Sequence, residues 1–301
     1  MRIIPRLLSG AITATLICPT LMATELTGTL QKIKESGIIT LGYRYSSIPF
    51  SYIADTSGTP IGYSQDIQLK IVEALRKELN LPTLNIKYNQ ITSQTRIPLI
   101  QNGSVDLECG STTNNAERGQ LLDFSVGIFA ISTRLLTKKY SPYKDFADLK
   151  IENVVTTAGS TSERLLKAMN AKQKMGMNVI SGKDIGESYQ ILESGRAVAF
   201  MLDDAQLAGE MAKTEKPDDW TITGTPQSNE IYGCMMRKGE PAFKKVVDDT
   251  IKAIFSSGEI KSLYDKWFNQ PIPPKGLNLK FPISPAFREI ITTPTDKPIS
   301  D

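Results

Sequence analysis

The stretch ECGSTTNNAER, residues 108–118, ends the apolar run VDLEC with Ser111, Thr112, Thr113, Asn114 and Asn115 and then places Arg118. Small hydroxyls and amides at the carboxyl end of a strand, where a short helix begins, favour an anion. Arg118 adds a charge that persists at any physiological pH and can fork onto a carboxylate. A plainer account fits the same residues: turn and cap side chains followed by a solvated helix charge. Other segment ends repeat the pattern, however. GYRYSSIPFSY puts Arg44 at a strand end, ITSQTR puts Ser93 and Arg96 at a helix start, TTAGSTSE puts Ser160, Thr161 and Ser162 at another, and AFMLDDA puts Asp203 at a further strand end. Arginines and hydroxyls hold carboxylates, and a carboxylate such as Asp203 holds an ammonium. An amino acid with a second carboxylate needs about this set.

Other chemistries are narrowed at the same time. The chain contains no histidine, which excludes histidine-based triads and histidine zinc sites. Glu108 or Asp203 could act as a general acid or base in an enzyme on such a scaffold, but no nucleophile constellation accompanies them. The expectation is a binding protein without cofactor or metal.

The elements that must position these residues alternate short apolar strands with amphipathic helices. Residues 37–44, 84–88, 105–109 and 129–139 read as strands, with a helix over 65–79 marked by Ile67, Ile71, Leu75 and Leu79. A similar layout follows: strands at 153–157, 178–181 and 197–202, helices opened by Ser160 or Thr161, by Asp184 and by Asp203–Asp204, then a long strand near 231–236 and helices over 240–256 and 259–268. Two α/β blocks result, joined by two strands, so two lobes with a two-strand hinge and a ligand cleft between them are expected. Lobe 1 is expected over 24–131 and 237–282, lobe 2 with the hinge strands over 132–236, and a loose tail over 283–301.

The 301 residues carry a formal charge of +3 and no long basic run, which gives no reason to expect a nucleic-acid partner. Residues 1–23 have Arg2 and Arg6, an apolar stretch from Leu7 and a small residue, Ala23: a secretory signal peptide, with export to the periplasm as its consequence. The cleavage site is loosely defined, because Leu21 is larger than ideal. Two cysteines, Cys109 and Cys234, remain after cleavage, and in an exported chain they form a disulfide or stay as buried thiols.

GYRYSSIPFSY, ITSQTRIPLIQNGSVDLECGSTTNNAER, LESGRAVAFMLDDAQLAGE, YGCMMRK and DKWFNQPIPPK together resemble the periplasmic glutamate/aspartate-binding proteins of ABC importers, solute-binding protein family 3, over about residues 30–280. The resemblance implies the α/β two-lobe type II periplasmic-binding-protein fold with a two-strand hinge and interlobe ligand cleft, L-glutamate or L-aspartate as ligand, hinge closure around it, and delivery by a monomer to an ABC permease in the membrane. It implies that Arg44, Ser93 and Arg96 hold the side-chain carboxylate, that Thr113, Arg118 and Thr161 hold the α-carboxylate, and that Ser111 and Asp203 hold the ammonium. One position departs: Ile185 stands where that family carries a histidine near the side-chain carboxylate. Isoleucine cannot donate a hydrogen bond, so weaker dicarboxylate binding or a shifted preference is expected, with glutamine or asparagine as the alternative ligands. A sensor-linked binding protein is a further alternative and would need a separate signalling partner.

Overall fold

The computed structural model describes residues 26–299, so the expected signal peptide lies outside the described residues. Two sheets form the two lobes. In lobe 1 the order is Asn85–Ile91, Ile38–Arg44, Leu107–Glu108, Met235–Arg237, Leu122–Phe124. The first three strands run parallel, and Met235–Arg237 is antiparallel to both its neighbours. In lobe 2, Asn178–Gly182, Asn153–Thr157 and Ala199–Asp203 run parallel, and Phe129–Lys138 pairs antiparallel to the last of them.

Phe129–Lys138 links the lobes. Its first half pairs with Asn229–Tyr232, which in turn pairs with Thr113–Asn114, while its second half pairs with Trp220–Thr223. Its side chains divide accordingly. Phe129 and Ile131 join the lobe 1 core, whereas Leu135 and Leu136, on opposite faces of the strand, enter two separate lobe 2 clusters. The lobe 1 core is aromatic near the hinge, where Phe129 packs on Phe50, Tyr232, Tyr264, Phe268 and Phe287. The helix Tyr63–Glu78 covers this lobe because Ile67, Ile71 and Leu75 recur at helical spacing and are all fully buried.

Two features differ from the sequence expectation. The strand read as continuous near 231–236 is broken. Asn229–Tyr232 belongs to the hinge and lobe 2 ladder and Met235–Arg237 to lobe 1, with Gly233 and Cys234 carrying the chain between them. Cys234 is bonded to Cys109, with Cα atoms 4.2 Å apart. The segment beyond 282, expected to be loose, contains the helix Pro285–Thr292. Ser284 caps it, Pro285 fits its first turn, and Phe287 and Ile290 are buried against lobe 1. The following residues stay attached: Gly127 N donates to Thr295 O, Asn114 Nδ2 donates to Asp296 O, and Lys244 pairs with the Asp296 carboxylate.

Candidate functional site

The lobes touch across the cleft. Gly159, in the TTAGS turn of lobe 2, has φ +76°, and a Cβ there would lie 2.8 Å from Gln94 Cγ and 2.9 Å from Gln94 N of lobe 1, so only glycine allows the approach. On the other side of the cleft, a Cβ at Gly209 would lie 2.4 Å from Ile48 O. A small cavity lies between the lobes. Its lining includes Arg44, Ser93, Arg96, Ser111 and Thr113 from lobe 1 and Thr161, Ile185 and Asp203 from lobe 2.

The cationic wall is built from within lobe 1. Arg44 ends the strand Ile38–Arg44 and Arg96 opens the helix Arg96–Gln101. Both are only 3 % exposed. Arg96 Nη1 donates to Ser111 O (3.1 Å) and to Thr112 Oγ1, and Thr112 Oγ1 donates to Glu108 Oε2 (2.9 Å). Glu108 thereby shares one buried network with Arg96, and its charge favours the charged forms of Arg44 and Arg96. Compensation is incomplete. Arg96 Nε has no partner, and the Arg44 guanidinium makes no hydrogen bond among the described residues. Burial, then repulsion from Arg96, pulls the Arg44 guanidinium down to about 10. Burial pushes Glu108 up from the usual carboxylate range even though Arg96 opposes it.

Arg118 stands beside the cavity rather than in its lining. It sits in the helix Ala116–Leu121, capped by Asn115, whose side chain accepts from Arg118 N. Arg118 Nη1 donates to Thr113 O (2.9 Å), and Nη2 reaches Gly159 O of lobe 2 at 3.5 Å. Burial, then Arg96, draws its guanidinium down to about 9.

The lobe 2 wall carries a single lining carboxylate. Asp203 occupies the cap position of the helix Asp204–Lys213 but makes no cap hydrogen bond. Asp204 satisfies local backbone instead, accepting from Ala205 N and Ser132 N. Asp203 faces inward, accepting from Ser162 Oγ (3.1 Å) and from the Tyr232 hydroxyl. Burial, then the negative charge of Glu230, raises it to about 7. Ile185 opens the helix Ile185–Glu193, lines the cavity, and packs in the cluster that contains Val155, Tyr189 and Leu202.

Three site residues were not among the sequence candidates. Gln206 Nε2, from lobe 2, donates to Ser47 Oγ (2.9 Å) and Ser111 Oγ (2.8 Å) of lobe 1. Tyr232 holds Asp203 from the hinge strand. Glu230, also on that strand, accepts from Thr113 and Thr161. Gln206 lies one helical turn from Asp203, the only local signal for it; the other two depend on the hinge register.

Residues 39–270 match the family described as bacterial extracellular solute-binding proteins, family 3. The chain is 67 % identical, over 99 % of its length and 98 % of the relative's, to the L-glutamate/L-aspartate-binding protein of Pseudomonas aeruginosa. It is 56 % identical, over 90 % of each chain, to the glutamate/aspartate import solute-binding protein of Escherichia coli. Among solved structures, a P235GK mutant of ArgBP from T. maritima superposes with a TM-score of 0.70 at 23 % identity, over 79 % of this chain and 98 % of the other, a likeness of fold. The chain belongs to family 3 of the bacterial extracellular solute-binding proteins. It is an extracytoplasmic binding protein and not an enzyme.

Proposed function

We propose that this solute-binding protein holds an acidic amino acid, L-glutamate or L-aspartate, between its lobes and delivers it from the periplasm, as a monomer, to an ABC permease. The observation that carries this reading is the pair of buried, under-compensated guanidinium groups, Arg44 and Arg96, lining one cavity. Two buried cations sharing one nearby carboxylate, Glu108, favour a ligand that brings further negative charge. The printed ligands of the two bacterial relatives, glutamate and aspartate, have that charge.

In this reading Arg44, Ser93 and Arg96 hold the side-chain carboxylate. Thr113, Arg118 and Thr161 hold the α-carboxylate, Arg118 from behind the lining. Ser111 and Asp203 hold the ammonium. No bond is made or broken. The lobes are in contact at Gly159 and at Gly209, so they part about the hinge strands to admit the ligand and close on it. The closed form is what the permease recognises.

A second reading, a neutral ligand such as glutamine or asparagine, draws on Ile185, which lines the cavity without a hydrogen-bonding group. It leaves Arg44 and Arg96 without added negative charge, which argues for the acidic ligand. A thermal-shift screen of the chain from residue 24 onward, against the amino acids and small dicarboxylates, decides between them. A rise in melting temperature with L-glutamate or L-aspartate and none with glutamine is expected. A rise only with a neutral amino acid, or only with a non-amino dicarboxylate, would overturn the proposal.

A further inference from the structure

Glu230 lies on the hinge strand Asn229–Tyr232, outside the cavity lining. Its Oε2 accepts from Thr113 Oγ1 of lobe 1 and from Thr161 Oγ1 of lobe 2, the latter at 2.8 Å, and its Oε1 accepts from Ser228 Oγ at 2.8 Å. Thr113 and Thr161 form a partition. Both line the inner cavity, and both also line an outer groove that Glu230 shares with Gln227, Ser228 and Pro298. A threonine hydroxyl has one proton to donate. Here both protons point outward, to one carboxylate oxygen, and neither is available to a carboxylate in the inner cavity. The positive charges of Arg118 and Arg96 act on the Glu230 carboxylate as well, so it draws on the same cations as a bound anion would.

We propose that Glu230 is an internal competitor for the α-carboxylate subsite: it bridges the lobes through Thr113 and Thr161 in the unliganded protein and yields both hydroxyls when a ligand's α-carboxylate arrives. This rests on the reading of the site given above. The hydroxyl protons rotate from the outer to the inner side of the partition, and Glu230, only partly buried, turns into the outer groove. The bridge has two consequences. It favours lobe closure without ligand, and it subtracts from ligand affinity, because the ligand must replace hydrogen bonds already made.

The test uses calorimetry with L-glutamate and L-aspartate on the wild type, Glu230→Gln and Glu230→Asp, with X-ray scattering of each unliganded protein. If the wild type binds neither amino acid, the functional reading fails before Glu230 is tested. Given binding, Glu230→Gln keeps the shape but removes the charge, and about tenfold tighter binding is expected. Its unliganded radius of gyration should rise, because the bridge between lobes is weakened. Glu230→Asp keeps the charge but is a methylene shorter, and should tighten binding by less. It carries the same test if the glutamine variant does not fold. Affinity unchanged or weakened in the variants would overturn the proposal and make Glu230 a support that positions the hydroxyls.

Discussion

The lobe 1 wall of the cleft presents Arg44 and Arg96, with Arg118 behind them, and the lobe 2 wall presents Asp203 and Ile185. The walls differ in how they are held as much as in charge. In lobe 1 the polar groups are joined to one another: Arg96 to Thr112, Thr112 to Glu108, and Ser111 to Ser47. The disulfide then fixes Cys109, the residue after Glu108, to the chain leaving the hinge. In lobe 2 several polar groups find partners only by reaching the hinge or the other lobe, as Gln206 does to Ser47 and Thr161 to Glu230. Lobe 1 is therefore assembled before closure, and lobe 2 is completed by it. In the proposed reading the side-chain carboxylate belongs to the lobe 1 wall, while the α-carboxylate and the ammonium are each shared between the two walls.

Removing a charge from each wall should show this asymmetry in opposite ways. Arg96→Met removes the donor to Ser111 O and Thr112 Oγ1, two buried hydrogen bonds from a charged group, each worth about 1.5–3 kcal/mol. Stability and ligand binding should fall together, in denaturant melts and in calorimetry. A variant that melts like the wild type would show that lobe 1 is not held by its own ion network. Next in size is the disulfide. Replacing Cys109 and Cys234 together by serine should destabilise by about 2–4 kcal/mol, typical of such a crosslink, and weaken ligand binding, because the polar run that bears Ser111 and Thr113 begins at Cys109. An unchanged melting temperature and affinity would remove it from any role in the site.

Asp203→Asn acts on the other wall and should spare the fold. Burial raises Asp203 to about 7, above its ordinary 3.8, so the folded protein holds a proton that the unfolded chain releases. Its contribution to stability is then present at low pH and is lost as pH rises from about 4 to 7. Asparagine, which never ionises, removes that loss. The ligand reverses the sign. An ammonium needs the carboxylate, so affinity should rise with pH up to about 7 and level off beyond it. In Asp203→Asn affinity should drop by about 1.5–3 kcal/mol, the worth of a hydrogen bond to a charged group, and its rise near pH 7 should flatten. An affinity profile that stays pH-dependent in the variant would place the titrating group elsewhere.

The same contrast explains what the sequence could disclose. Arg44, Arg96 and Asp203 each sit at the end of a strand or the start of a helix, ends marked locally by apolar periodicity and cap residues, and Ser111 lies in the short loop between Leu107–Glu108 and Thr113–Asn114. The cavity brings them together because parallel strands place their carboxyl ends on one edge. Glu230 and Tyr232 have no comparable mark, since their roles depend on which hinge residues reach Thr161 and Asp203 once the chain is folded. The break after Tyr232 is hidden for a related reason: YGCMMR is apolar enough to read as one strand, and only the pairing of its two halves with different sheets divides it. The C-terminal helix is the converse case. Its cap, its proline and its apolar spacing are all in SPAFREII, but the aromatic cluster that receives Phe287 is assembled from distant segments.

The smallest effect expected, and the sharpest test of the division between walls, is Ile185→His. Ile185 lies at the first position of its helix, 2 % exposed, between the lobe 2 core and the cavity. A histidine here would give the moving wall a donor for the side-chain carboxylate that otherwise depends on Arg44 and Arg96. The helix N-terminus and the neighbouring Arg44 both disfavour a second positive charge, so the imidazole would act as a neutral donor. A hydrogen bond to a carboxylate is worth about 1.5–3 kcal/mol, offset by about 1 kcal/mol or more of lost apolar packing. The net gain in glutamate or aspartate affinity should be on the order of tenfold or less, with little change for glutamine. Calorimetry on the variant with all three ligands measures it. No gain for either acid would mean that the rigid arginine wall alone sets carboxylate affinity. An equal gain for glutamine would mean that position 185 senses the size of the ligand rather than its charge.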